Sequence, residues 1–144
     1  MKIAFFETEP HEKKYFQDSA LKEHELAFFE GELEMSGMDE LKETEVLSLF
    51  VFSKLSAEMI EAMPSLKLVA TRSTGFDHID INKCREKGIK VSTVPHYGEN
   101  TVAEHTFGLL TLISHHLFDA VDRTRKGEFS QSGLRGFDLA GKTL

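Results

Sequence analysis

Residue types and patterns that define whole classes of protein are scarce or missing in this 144-residue chain. The single cysteine, Cys84, cannot form an internal disulfide, which fits a reducing compartment. No apolar run approaches the ~18 residues that a membrane-spanning helix needs. The apolar start at 3–6 is too short for a signal peptide and meets acidic residues at once. These absences predict a cytoplasmic protein that has no membrane segment.

Positive charge is also in short supply, with 17 basic residues against 24 acidic ones and a net charge of −7. Nucleic acids and anionic membranes attract clustered lysine and arginine, so this balance argues against both as partners. None of the ten glycines is spaced as G-x-G, so the dinucleotide fingerprint is missing from the chain, and the P-loop is missing too. A G-x-S-x-G nucleophile elbow and a cysteine pair for zinc are likewise absent. The sequence therefore predicts no metal site.

Short apolar runs alternate with amphipathic stretches along the first hundred residues. Runs that are apolar at nearly every position, rather than at every second one, are typical of strands buried on both faces. We predict strands at 3–6, 26–29, 46–52, 66–70 and 89–94, with helices at 11–20, 38–41, 56–63 and 77–87 between them. Strands that alternate with helices in this way indicate an α/β fold with a doubly wound parallel sheet of five strands.

A different pattern follows residue 100, where 101–126 reads as one long helix. Thr101 and Glu104 have the spacing of a capping box at its start. Apolar residues at helical spacing form one stripe, and further apolar residues lie outside it. The stripe is Val102, Thr106, Leu109, Leu110, Ile113, Leu117 and Val121, and the others are Ala103, Phe107, Leu112 and Phe118. A helix that is apolar on more than one side is expected to pack between layers, domains or subunits.

The first candidate site is the segment 71–80, where a predicted strand passes through small residues into a helix. Small residues let backbone N–H groups approach an anion, and a helix N-terminus favours negative charge. Arg72 could add a charge-assisted contact to a carboxylate. The alternative is a plain turn in which Asp77 caps the helix and Gly75 takes a difficult backbone conformation. Taken alone, the turn favours this second interpretation.

The second candidate is the segment 94–105, at the end of the last strand and the start of the long helix. Tyr97 can present a hydroxyl and a ring face to a small ligand, and the free N–H groups around Thr101 and Val102 can meet a polar group. The alternative is a capped helix with Tyr97 as surface packing, which the segment alone favours.

The histidines and the cysteine look less promising. A metal site on a helix requires two ligands four residues apart, and the histidines at 96, 105, 115 and 116 do not have that spacing. We expect them at the helix surface or in an interface. Cys84 lies in an amphipathic stretch, and we interpret it as a packing residue rather than a reactive thiol.

Three blocks of sequence, taken together, carry a family resemblance. They are RSTGFDHID at 72–80, GIKV at 88–91 and VPHYGENTVAEHT at 94–106. In this order and spacing they resemble the NAD-dependent D-isomer-specific 2-hydroxyacid dehydrogenases, in particular the D-lactate dehydrogenase-like branch. The resemblance implies a flavodoxin-like domain that binds a small 2-oxo or 2-hydroxy carboxylic acid, with D-lactate as the expected substrate, and an oxidoreductase that uses NAD.

The resemblance also implies roles for particular residues. In the family, backbone amides at the positions of Ser73, Thr74 and Gly75 hold the substrate carboxylate. Tyr97 matches an aromatic residue that lines the substrate pocket of lactate-type members. Thr74 and Val102 match positions beside the cofactor, so both are candidate NAD contacts. Glu104 and His105 match non-catalytic family positions.

The same resemblance implies how the chain is divided. Residues 1–100 would be the substrate-binding (catalytic) domain, 101–126 an interdomain helix that also forms a homodimer, and 127–144 a linker toward an NAD-binding domain. The family's catalytic residues and its glycine-rich loop lie beyond this span, so we expect the 144 residues alone to be inactive. The alternative is a stand-alone binding or assembly domain without catalysis, whose dehydrogenase ancestry is only structural.

Overall fold

The computed structural model describes residues 1–143 and divides the chain into two compact units, Met1–Tyr97 and the residues from Gly98 onward. The strands β1 to β5 are Lys2–Phe5, Glu25–Phe28, Val46–Leu49, Leu68–Thr71 and Lys90–Ser92. The helices α1 to α5 are Pro10–Asp18, Ala57–Ala62, Ile81–Glu86, Glu99–Ser114 and Leu117–Arg125, and short 3₁₀ helices cover Ala20–Glu23 and Met35–Leu41. All the strands lie in the first unit. The final residue, 144, where the predicted linker ends, lies outside the described residues.

The first unit is built on one parallel five-stranded sheet with the order β2-β1-β3-β4-β5. This order is the flavodoxin-like one, so the predicted doubly wound α/β fold is confirmed. The chain moves outward in one direction from β1 to β2 and in the other from β3 to β5. In such sheets a crevice opens where the order reverses, outside the carboxyl ends of the strands. The segments that follow β1, β3, β4 and β5 therefore share one edge.

The core of the first unit consists of the sheet and the side chains packed on its two faces. Leu47, Leu49 and Val69 have no exposed surface, and each fully buried side chain of this kind contributes about 1.5–3 kcal/mol. The Phe6 ring stacks on that of Phe29 with centroids 4.4 Å apart. Cys84 is buried in α3, and burial raises the pKa of its thiol, as does the nearby Asp80 carboxylate to a lesser degree. Its interpretation as a packing residue is confirmed.

Helix α3 begins at Ile81, four residues later than predicted. The backbone before it pairs with the segment after β3 instead, since Leu55 N–H donates to the His78 carbonyl at 2.9 Å and Asp80 N–H donates to the Leu55 carbonyl at 3.0 Å. Asp80 then caps the helix by accepting from Lys83 N–H at 2.9 Å. The prediction of Asp77 as the cap is wrong because residues 77 and 78 form a turn, in which Ile79 N–H donates to the Phe76 carbonyl at 3.0 Å, and the bridge at Ile79 delays the helix to Ile81.

The predicted single helix at 101–126 is two helices, so that prediction is also wrong. The Ser114 carbonyl accepts from Phe137 N–H at 2.9 Å, and His116 takes a left-handed φ of 49°. Gly136 lies so close to this carbonyl that a Cβ there would be 1.9 Å from it. The returning chain therefore ends α4, and α5 restarts after the left-handed residue. No helix in residues 1–143 is long and apolar enough to cross a membrane.

The start of α4 differs from the sequence prediction as well. The helix begins at Glu99, its N-cap is Gly98, and no side chain caps it. Val102 N–H donates to the Gly98 carbonyl at 2.8 Å, which places Thr101 inside the first turn. The predicted capping box of Thr101 and Glu104 is therefore not formed.

Candidate functional site

The loop that follows β4 carries three of the predicted site residues, Ser73, Thr74 and Gly75, and we name these residues the 73–75 loop. Buried hydroxyls hold it from below. The Ser73 hydroxyl donates to the Gly75 carbonyl at 2.8 Å and shares a hydrogen bond of 2.6 Å with the Thr71 hydroxyl. The Thr71 hydroxyl also lies 3.2 Å from Nε2 of His78. Because Ser73 is only 3% exposed, the hydroxyl network fixes the loop rather than facing solvent.

The 73–75 loop is also tied to the segment that follows β5. Val94 N–H donates to the Ser73 carbonyl at 3.0 Å, and the Thr74 hydroxyl donates to the Val94 carbonyl at 2.9 Å. This segment continues to Tyr97, whose side chain is 65% exposed. The structure thus brings Tyr97 to the same edge of the sheet as the 73–75 loop, as expected for segments that follow neighbouring parallel strands.

The backbone of the 73–75 loop offers hydrogen-bond donors at this edge. Across residues 1–143, the N–H groups of Thr74 and Gly75 donate to no protein acceptor, and both residues are exposed. Gly75 does not take a positive φ, so the predicted difficult conformation is wrong. Its lack of a side chain matters for space, because a Cβ would lie 3.2 Å from Oδ1 of Asp77. Neighbouring free N–H groups on a fixed loop are what the binding of a carboxylate requires.

Arg72, just before this loop, has a different role from the predicted one. Its Nη2 donates to the carbonyls of Phe6 and Glu7 at 2.9 and 2.8 Å, and its Nη1 donates to the Ser48 hydroxyl at 3.2 Å. Its Nε lies 3.5 Å from Oε1 of Glu12. These contacts occupy the guanidinium within the protein, and the predicted contact with a ligand carboxylate is therefore wrong. Arg72 joins the ends of β1, β3 and β4 instead.

Glu7 is a residue at this edge that the sequence did not single out. Its carboxylate accepts from the backbone N–H groups of Phe50 and Phe52 at 2.9 and 2.8 Å, and its φ is 55°. These bonds replace a continued β ladder, which explains why β3 ends at Leu49 rather than at residue 52. A glutamate in an acidic turn before a proline has the composition of any surface turn, so no local signal marks it.

The second unit contains the remaining predicted residue, Val102, in the first turn of α4. Its side chain is 65% exposed, and its carbonyl accepts from the Thr106 hydroxyl at 2.7 Å. His116 lies at the break between α4 and α5 with Nδ1 3.5 Å from Oδ2 of Asp119. Within residues 1–143, no three histidine, cysteine, aspartate or glutamate side chains come together as a metal site would require.

Comparison with known proteins identifies the family. The sequence family described as "D-isomer specific 2-hydroxyacid dehydrogenase, catalytic domain" matches residues 3–137. The chain belongs to this family. The match spans both units of this dehydrogenase-family chain and confirms the resemblance carried by the three sequence blocks.

Individual relatives agree with this assignment. A 2-hydroxyacid dehydrogenase homolog of Haemophilus influenzae is 36% identical over 147 residues, covering 100% of this chain and 44% of the relative. The D-lactate dehydrogenase of Escherichia coli is 34% identical, covering 99% of this chain and 44% of that protein. The solved structure of D-lactate dehydrogenase from Aquifex aeolicus, complexed with NAD and lactic acid, is 38% identical with a TM-score of 0.89. It covers 95% of this chain, which spans 41% of that one. The chain thus spans less than half the length of these relatives.

Proposed function

We propose that this chain supplies the substrate-carboxylate side of the active site of an NAD-dependent oxidoreductase. The reaction interconverts a small D-2-hydroxy acid, which we take to be D-lactate, and its 2-oxo acid. The observation that carries the proposal is the pair of free N–H groups at Thr74 and Gly75, on a rigid loop at the carboxyl edge of the sheet. Its support from relatives is the D-lactate dehydrogenase of E. coli and the A. aeolicus enzyme that holds NAD and lactic acid.

In this proposal the chain binds and orients the substrate. Backbone N–H groups of Ser73, Thr74 and Gly75 donate hydrogen bonds to the substrate carboxylate, and a hydrogen bond to a charged group contributes about 1.5–3 kcal/mol. Tyr97, with its exposed ring and hydroxyl, lines the substrate side of the pocket. The hydride-transfer and proton-transfer groups are assigned to the part of the protein that this chain does not include.

The cofactor contacts in this chain are few. NAD, when bound, supplies the nicotinamide that accepts or delivers the hydride. We assign two contacts here, Thr74, which is exposed, and Val102, whose apolar side chain is 65% exposed and suits packing against a ring. Since the chain has no G-x-G loop for the cofactor phosphates, the main NAD contacts are assigned to a further domain.

The region 101–126 is proposed to form a homodimer. Apolar side chains along α4 and α5 remain exposed, including Ile113 at 63% and Phe118 at 71%. An apolar patch of this kind on a folded protein marks an interaction surface. A cytoplasmic location completes the proposal, and the single buried thiol at Cys84 agrees with a reducing compartment.

The test is pyruvate-dependent oxidation of NADH by the protein that carries this chain. Thr74→Pro removes one N–H donor, so we expect KM for pyruvate to rise about tenfold or more, or turnover to be lost, while Thr74→Ser retains activity because it keeps the N–H and the hydroxyl. Unchanged kinetics in Thr74→Pro would contradict the role of the loop. The 144 residues alone are expected to be inactive. Robust turnover by them would refute the assignment of hydride and proton transfer to another part of the protein.

The second candidate, a binding or assembly domain without catalysis, rests on the same exposed apolar helices. It predicts that the protein self-associates but oxidises NADH with none of the small 2-oxo acids. A panel of such acids, assayed beside sedimentation of the same sample, separates the two candidates.

A further inference from the structure

Two side chains cross the carboxyl end of β3 in opposite directions. Glu7, just after β1, reaches to the backbone N–H groups of Phe50 and Phe52. Arg72, just after β4, reaches past Ser48 to the Glu7 carbonyl. We name this arrangement of Glu7 and Arg72 the β3 clasp. It joins the segment after β1 to the segments after β3 and β4.

The backbone of Glu7 indicates that its side chain is needed there. A φ of 55° is costly for a residue that has a Cβ, and glycine would adopt it freely. The conformation is held by hydrogen bonds on both sides, from Glu7 N–H to the Gly31 carbonyl at 3.0 Å and from Arg72 to the Glu7 carbonyl at 2.8 Å. This conformation directs the carboxylate at Phe50 and Phe52 rather than into solvent.

The segment held by Glu7 presents exposed apolar side chains, and Val51 lies beside the residues that follow the 73–75 loop. Val51 and Phe52 are 43% and 67% exposed. A surface depression of about 550 Å³ is lined by Val51 together with Asp77 and His78, which follow the 73–75 loop in sequence. The guanidinium of Arg72, the residue that precedes that loop in sequence, lies 5.9 Å from the Phe50 ring centroid. The segment 50–52 therefore lies beside the residues that flank the 73–75 loop on both sides in sequence, at the edge where the substrate is proposed to bind.

We propose that Glu7 is a positioning residue for substrate binding. Its carboxylate fixes the backbone of 50–52 relative to the 73–75 loop, so that the apolar segment is already in place when the 2-oxo acid arrives. The proposal rests on the proposed function. Without the carboxylate, the N–H groups of Phe50 and Phe52 form hydrogen bonds with water instead, and the segment gains conformational freedom. Substrate binding must then order it, and that cost appears in KM.

The first measurement is amide hydrogen exchange on the full 144-residue chain, which needs no activity. In Glu7→Gly, exchange at Phe50 and Phe52 is expected to rise at least about tenfold, while exchange at Leu47 in the middle of β3 stays as in the wild type. Glycine also relieves the positive φ, so the midpoint of thermal unfolding should stay within about 4 °C. Glu7→Gln keeps one acceptor oxygen and should release only one of the two N–H groups. Unchanged exchange in both variants would overturn the proposal.

The second measurement is the kinetics of the protein that carries this chain. Glu7→Gly is expected to raise KM for pyruvate about tenfold, with kcat changed by less than about threefold. Glu7→Gln should have an intermediate KM. The matched control is Glu23→Gln, which removes an exposed carboxylate before β2, at the opposite edge of the sheet, and should leave both constants unchanged.

The outcomes separate the two proposals. Faster exchange together with a higher KM supports the role of Glu7, whereas faster exchange with an unchanged KM refutes it, because the clasp would then be structural only. A wild-type protein that reduces no 2-oxo acid refutes the proposed function and, with it, the substrate role of Glu7. In that case the exchange data still decide whether Glu7 positions 50–52.

Discussion

The two units of the chain differ in how far they bury their apolar side chains. In the first unit the apolar strands form a closed core, in which Leu47, Leu49 and Val69 have no exposed surface. In the second unit α4 buries only Ser114, and α5 buries no residue. Both regions have a clear apolar pattern in the sequence. The difference shows that an apolar pattern indicates a surface that is buried in the native protein. The pattern does not indicate which part of the protein buries it.

The largest expected effect separates the two units by stability. Leu47→Ala, in the middle of β3, should lower the free energy of unfolding by about 2–5 kcal/mol, since it leaves a cavity in a packed core. Phe118→Ala, on α5, should change it by less than about 0.5 kcal/mol when the protein is dilute enough to be monomeric, because that ring is 71% exposed in the single chain. Urea unfolding of the wild type and of both variants measures these two changes in the free energy of unfolding. If Phe118→Ala lost as much stability as Leu47→Ala, the proposed difference between the two units would be wrong.

A smaller effect concerns self-association rather than stability. Ile113→Asp places a charge on the exposed apolar surface of α4 and should weaken homodimer formation at least about tenfold, because a desolvated charge opposes association. Tyr15→Asp is the matched control, since Tyr15 on α1 is 72% exposed but belongs to the first unit. Sedimentation at micromolar concentration measures both. A wild type that is strictly monomeric, or equal dissociation constants for the two variants, would refute the assignment of the dimer to this helix.

The sequence predicted the elements that depend on local patterns. All five strands and the parallel sheet follow from short runs that are largely apolar. The site residues Ser73, Thr74, Gly75 and Tyr97 were placed by family resemblance, and the structure puts them at one edge of the sheet. Their roles in binding stay predictions.

Two of the errors arose where a distant part of the chain decides the local structure. The bridge between Leu55 and Ile79 delays α3, so Asp80 rather than Asp77 caps it. The returning chain at Gly136 ends α4 at Ser114. The partners of these groups lie 22 or more residues away in the sequence, and local sequence patterns do not identify such distant partners.

The side chains of the β3 clasp show the same limit more sharply. Arg72 looked like a ligand contact because a charged residue next to an anion-binding turn is typical of one, yet its donors face β1 and β3. Glu7 carried no signal at all, since its partners are 43 and 45 residues away. Residues that hold a site in shape are selected by long-range geometry, whereas residues that touch a ligand share local motifs.

The central claim is that the 73–75 loop holds a substrate carboxylate, and the most direct measurement follows its backbone N–H signals. Oxamate, an unreactive analogue of pyruvate, is titrated into the ¹⁵N-labelled protein that carries this chain in the presence of NADH. We predict that the amides of Thr74 and Gly75 shift most, while that of Gly88, before β5 at the other edge of the sheet, does not move. If oxamate inhibits turnover but leaves the amides of Thr74 and Gly75 unchanged, the carboxylate binds elsewhere and the claim is wrong.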